Sequence, residues 1–243
     1  MTQHKDLSIL LPVFNEGESV ELMINILILY LKINIEIIVI YDHDQDSTIG
    51  PINILKKKYG NIKLIKNEKE GAKNAFLTGL KHANSDIILL TVVDEIFPIL
   101  SYLKMYELIR NENYDLVSAT RYSKGGLRLG GSILGHILSK FSNLGFNKII
   151  SFPLTDATTG IKMMKLKSIK SIILEAETGW SFALELSIKF YLKDFKITEV
   201  PIKSIDRIFG GKSTFKLIPW IKRYNLIIFW GIKEIIKKRV KKN

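Results

Sequence analysis

Apolar and polar positions alternate along the first half of the chain in blocks, not residue by residue. Residues 7–13 form a short, β-branched run closed by Pro12 and the polar Asn15-Glu16. Such a run reads as a strand buried on both faces. A helical stretch follows at 18–31, then a strand at 36–41 that ends in the acidic, turn-prone segment from Asp42 to Thr48. The same rhythm predicts a helix at 52–59, a strand at 62–65, a helix at 72–83 and a strand at 87–93. A helix at 99–111 and a strand at 115–119 complete it. Strands alternating with helices through short connections predict a mostly parallel α/β sheet covered on both faces.

The second half is less regular. It predicts helices at 133–146 and 182–192, a short ββ-like stretch at 155–164 and a strand at 196–202. An amphipathic basic helical segment then occupies 216–243, leaving 1–215 as the main domain. All six prolines fall at the edges of these elements, where a residue without an amide donor is tolerated.

Composition adds limits. The chain has 243 residues, 47% of them hydrophobic and 25% charged, which suits a packed domain and argues against disorder. There is no cysteine, so thiolate nucleophiles and disulfides are excluded. The N-terminus reaches a proline and a charge too soon for a secretory signal. No apolar run reaches the roughly 20 residues of a spanning helix. A formal net charge of +12 calls for an anionic partner: nucleic acid, a phosphorylated substrate or lipid headgroups. No nucleic-acid recognition motif accompanies the charge.

In parallel sheets ligands bind beyond the carboxyl ends of the strands. After the second strand come three carboxylates in five residues, Asp42, Asp44 and Asp46. Asp42 at the strand tip can accept from a base or ribose, whereas Asp46 or Ser47 reads as a cap for the next helix. Asp94 and Glu95 follow the fourth strand and suit a hard divalent cation. Gly71 and Asn74 open a helix that a ribose or phosphate could approach closely. Two glycine-rich cationic loops, 121–128 and 206–213, suit phosphate oxygens. The four histidines lack metal-ligand spacing, and only His43 falls in one of these loops.

Taken in order, these fragments resemble the family 2 glycosyltransferases, in particular the dolichol-phosphate mannose synthase-like branch. The carriers are Leu11-Pro12-Val13-Phe14-Asn15-Glu16, the acidic stretch Asp42–Thr48, Arg121-Tyr122 with Gly125-Gly126, Asp156 to Lys162, and Glu199 to Ile202 with Asp206 to Ser213. The resemblance implies a GT-A fold, with Pro12, Phe14, Glu16, Asp42, Gly71, Asn74 and Asp94 around a nucleotide-diphosphate sugar. It implies Mg²⁺ or Mn²⁺ at Asp94 and Glu95, and Arg121, Arg128, Arg207, Lys212 and Ser213 near phosphates. Asp94, Arg121 and Arg207 would be catalytic. Two departures stand out: Val92 occupies the place of a first metal-binding Asp, and Lys162 that of an Arg.

Attack by a sugar hydroxyl needs a general base, and Asp156 is the most available candidate. A polyprenyl phosphate is already anionic and needs cations instead. The expectation is therefore inverting transfer to a polyprenyl phosphate at the cytoplasmic face of the membrane. The amphipathic segment, with Tyr224, Ile228, Ile232, Ile235 and Ile236 on one face, would lie on the lipid surface. Transfer to a sugar hydroxyl in surface polysaccharide, or nucleotide-sugar binding without turnover, are the alternatives. A homo-oligomer is compatible with the sequence.

Overall fold

The computed structural model describes residues 5–17, 19–130, 133–177, 179–205 and 217–242. The first half runs β1 (Leu7–Pro12), α1 (Ser19–Tyr30), β2 (Ile35–Tyr41), α2 (Ile49–Lys58), β3 (Ile62–Lys66), α3 (Ala72–His82) and β4 (Ile87–Leu90). A 3-10 turn, Phe97–Ser101, leads into α4 (Tyr102–Arg110) and β5 (Leu116–Thr120). Then come β6 (Leu127–Leu129), α5 (Ile133–Ile150), β7 (Lys162–Lys165), α6 (Leu166–Lys170), α7 (Ser181–Leu192), β8 (Ile197–Pro201), β9 (Lys203–Ile205) and α8 (Leu217–Lys242).

Seven strands form one sheet in the order β3-β2-β1-β4-β7-β5-β8. Only β7 runs antiparallel, between β4 and β5. The carboxyl ends of the other six strands therefore share one edge, and the amino end of β7, Lys162, lies on that same edge. Because β1 pairs with β2 on one side and β4 on the other, chain order reverses there and opens a crevice.

Side-chain alternation explains the layers. Leu7, Ile9 and Leu11 of β1 point into one apolar cluster with Met23 and Leu27 of α1 and Met105 of α4. Leu10 points the other way, into a cluster with Phe76 of α3 and Phe182 and Phe190 of α7. Gly79 lets α3 settle on the sheet, since a Cβ there would sit 3.0 Å from Leu10 and 3.1 Å from Ile40. At the opposite end of the sheet the buried Glu36 carboxylate ties together Lys63 at 2.7 Å, Ser8 at 2.5 Å and the Asn84 amide at 2.5 Å.

Three expectations need correction. The 155–164 stretch is not a ββ unit: it is irregular up to the single strand β7, whose partners are β4 and β5. The helix after residue 133 continues to Ile150. The apolar face of α8 does not lie open for lipid. Tyr224, Ile228 and Ile232 pack against a third cluster, which contains the fully buried Ile235 with Phe146 of α5 and Leu184 and Ile188 of α7. A helix with one apolar stripe buries it wherever a matching surface exists, and α5 and α7 supply that surface.

Candidate active site

The crevice edge gathers most of the residues singled out above. The loop after β1 turns through Asn15, which has a positive φ of 56°. It is stitched to the loop after β2: Asn15 N donates to both carboxylate oxygens of Asp46 at 3.1 Å, and Glu16 N donates to Thr48 Oγ1 at 3.0 Å. Asp46 also accepts from the Thr48 amide at 2.8 Å. It braces two loops, beyond the helix-capping role expected of Asp46 or Ser47. No short-range signal could reveal a partner 31 positions away.

Above this brace, Phe14 is 51% exposed and meets the His43 ring edge-on, centroids 5.3 Å apart. The pair forms an aromatic rim over the ends of β1 and β2. Asp42 accepts from Asn67 Nδ2 at 2.8 Å and from Gly71 N at 3.0 Å. Gly71 holds φ at 104°, a conformation that favours glycine, as it opens α3. Asn67 in turn accepts from Thr78 Oγ1 at 2.9 Å, so Asp42, Asn67 and Gly71 form one unit. A carboxylate has about four lone-pair sites, so Asp42 retains acceptor capacity. Asn74 donates to the Glu70 carbonyl at 2.9 Å.

Asp94 and Glu95 lie in the turn beyond β4, both half-buried. Among the described residues no group of three or more His, Cys, Asp or Glu could hold a metal. Two hard carboxylate donors at the crevice nevertheless suit Mg²⁺ or Mn²⁺, given that a bound diphosphate adds its own oxygens.

Arg121 is paired with Asp156 in a two-point fork. Its Nε donates to Oδ2 at 2.6 Å and a terminal nitrogen to Oδ1 at 3.0 Å, while the Arg121 amide reaches Oδ2 at 3.2 Å. Asp156 is fully buried. Burial alone would raise its pKa, but Arg121 outweighs that and holds the carboxyl below its usual value. This corrects the reading of Asp156 as a base: a buried, ion-paired carboxylate is out of reach of a substrate hydroxyl and is a poor proton acceptor.

Lys162 sits fully buried beneath this pair and donates to Ser118 Oγ at 2.9 Å and the Ala157 carbonyl at 3.2 Å. Burial pushes its pKa down to about 7, against the pull of Asp156. Glu199 accepts from Thr155 N at 2.6 Å and Oγ1 at 2.7 Å, and burial raises its pKa. From α8, Tyr224 lies within the electrostatic reach of both Arg121 and Asp156. Sequence reasoning missed Lys162 and Glu199 as members of one buried network.

Beside the ion pair opens a cleft of about 480 Å³, lined by Leu129, Ile137, Phe141 and Leu144 with Arg128, His136 and Lys140. Tyr122 links the two places: the Arg121 guanidinium lies 5.2 Å from its ring centre, and its hydroxyl donates to Ser139 Oγ at 2.9 Å and accepts from Arg128 at 3.5 Å. Arg207, Lys212 and Ser213 lie outside the described residues.

The doubly covered, mostly parallel sheet thus sets an acidic crevice beside a cationic flank. The chain belongs to glycosyl transferase family 2, whose sequence profile matches residues 8–173, more than half of the chain. Among curated relatives it is 26% identical over 149 residues to a dolichyl-phosphate hexose transferase of Haloferax volcanii, covering 60% of this chain and 61% of that one. It is 27% identical over 242 residues to a dolichol-phosphate mannosyltransferase of Pyrococcus furiosus, covering 95% of this chain and 66% of that one. The chain thus spans less than two thirds of either relative's own length. These similarities support the dolichol-phosphate mannose synthase-like branch.

Among solved structures, the fold matches glucosyl-3-phosphoglycerate synthase of Mycobacterium tuberculosis in complex with UDP. That match has a TM-score of 0.68 at 17% identity, over 95% of this chain and 80% of that one. A complex of the same enzyme with Mn²⁺, UDP and glucosyl-3-phosphoglycerate matches with a TM-score of 0.64 at 17% identity, over 96% and 80%. The agreement confirms the GT-A fold.

Proposed function

We propose that the protein transfers a hexose, with inversion, from a nucleotide-diphosphate sugar to a polyprenyl phosphate. The observation that carries this reading is the closure of Asp156 around Arg121. It removes the expected base for a hydroxyl acceptor and leaves a flank rich in cations, suited to an acceptor that is already anionic. The donor's nucleoside would rest at Phe14, Glu16 and Asp42, with its diphosphate over Gly71 and Asp94. A divalent cation held at Asp94 and Glu95 would offset charge on the departing diphosphate. A phosphate oxygen of the acceptor attacks the anomeric carbon as the bond to the diphosphate breaks, and no proton needs removal. Arg121 and Arg128 orient that phosphate and stabilise charge in the transition state.

The relatives' names, dolichyl-phosphate hexose transferase and dolichol-phosphate mannosyltransferase, favour the same acceptor. Association with a lipid surface fits the reading. Phe141 and Ile149 on α5 and Leu226, Phe229 and Val240 on α8 are exposed, among exposed lysines such as Lys140 and Lys237. Among the described residues no helix is long and apolar enough to cross a membrane.

The test is transfer from GDP- and UDP-sugars with Mg²⁺ or Mn²⁺, with polyprenyl phosphate, a glycan or phosphoglycerate as acceptor. Product with the lipid phosphate is the expected result. Transfer only to a hydroxyl acceptor overturns it. A thermal-shift screen of the same nucleotides reads the metal assignment, whose metal-dependent part should vanish in Asp94→Ala.

A further inference from the structure

The cleft beside Tyr122 contains a histidine that the proposed transfer does not use. His136 lines it together with Arg128 and Lys140, and its ring lies 6.2 Å from that of Tyr122. The charged groups acting on His136 are Arg128 from β6, Lys140 one turn along α5 and Arg121 at the end of β5, and all three are cations. Partial burial and these three charges hold its pKa below the ordinary imidazole value. The imidazole is therefore neutral at neutral pH while the cleft holds no anion. The other lining groups are apolar, so a phosphate carrying a hydrocarbon tail matches the lining chemically: its head meets the cations and its first carbons meet Leu129, Ile137 and Phe141.

An arriving phosphate reverses the electrostatics at His136. Two negative charges beside Arg128 and Lys140 cancel the repulsion that keeps the ring neutral and favour the imidazolium, which gains a second N–H donor. We propose that His136 is a proton-coupled ligand of the acceptor's anionic head, neutral in the open cleft and protonated from solvent when the phosphate is seated. The inference rests on the lipid-phosphate reading of the acceptor and adds to it a residue and a proton. One proton moves from bulk water to a ring nitrogen; no covalent bond to carbon or phosphorus changes.

Titration calorimetry with farnesyl phosphate tests this, using the whole chain in two buffers of different ionisation heat at pH 7.5. Farnesol and inorganic phosphate separate the tail from the head. The wild-type protein should take up a fraction of a proton per site at pH 7.5, and that fraction should grow as pH falls from 8 towards 7. His136→Gln should lose that uptake, and His136→Arg should bind at pH 8 with wild-type affinity or better and without uptake. Between the pKa of the free and the bound imidazole, the ratio of wild-type to His136→Gln affinity should fall by up to about tenfold per pH unit as pH rises. The ratio cancels the phosphate's own second ionisation near pH 6. Equal uptake in both proteins, or binding by wild type without uptake, overturns the role of His136 and leaves the transfer reading intact. Failure of farnesyl phosphate to bind a protein that still binds nucleotide sugar overturns both.

Discussion

Arg121 and Asp156 meet as a closed fork, Nε to Oδ2 at 2.6 Å and a terminal nitrogen to Oδ1 at 3.0 Å, with the carboxylate wholly withdrawn from solvent. The two charges come from different segments, the end of β5 and the irregular run before β7. Their pairing therefore fixes the cationic flank to the sheet edge. The buried carboxylate is worth its desolvation only while the guanidinium answers it, and the reverse holds equally.

Asp156→Asn keeps the shape and removes the charge, leaving Arg121 buried without its counter-ion. Breaking one side of such a pair costs about 3–5 kcal/mol, so urea unfolding should show a midpoint well below wild type. Adding Arg121→Met should recover part of the loss, because both charges are then gone. A base role for Asp156 would give a different pattern: lost transfer at unchanged stability.

Gly231 carries the contact between α8 and α7. A Cβ there would lie 2.6 Å from Ile188 Cδ1, so any side chain at this position forces Ile188 to move. Gly231→Val should push α8 off α7, lower the melting temperature and expose the cluster around Ile235 to a hydrophobic dye. If the variant melts like wild type and binds no dye, α8 is not held through this crossing.

The parallel strands were legible because burial on both faces writes them as continuous apolar runs such as Ile37 to Ile40. What the runs could not carry was long-range pairing. Lys162 and Lys165 bracket β7, so its composition reads as surface although Met163 and Met164 are fully buried and Lys162 is too. β6 and β9, three residues each, are too short for a period to register. The apolar stripe of α8 was visible, but period alone does not say whether lipid or protein covers it, and here α5 and α7 cover it. At the site, strand-end position located Asp42 and Asp94. The capture of Arg121 by Asp156, across 35 positions, depends on how β7 inserts between β4 and β5, and no local motif encodes that.

The lysine beneath the fork makes stability depend on pH in a direction that can be worked out. Lys162 has a folded pKa of about 7 against an ordinary 10.5, because burial penalises its charged form more than Asp156 and Glu199 favour it. Between these values the unfolded chain binds the extra proton and the folded chain does not, so this group makes stability rise with pH from about 7 to 10. Below pH 7 both states are protonated and the penalty for burying the charge is felt in full. Lys162→Met removes the titration while keeping a long apolar side chain. Stability measured by urea unfolding should therefore favour the variant most at pH 6, and wild type should gain on it steadily as pH rises towards 10. Lys162→Arg keeps its charge across that range, so its stability relative to Lys162→Met should stay level. A difference between wild type and Lys162→Met that does not change with pH would mean that the lysine keeps its proton throughout, held by Asp156 more firmly than burial can loosen it.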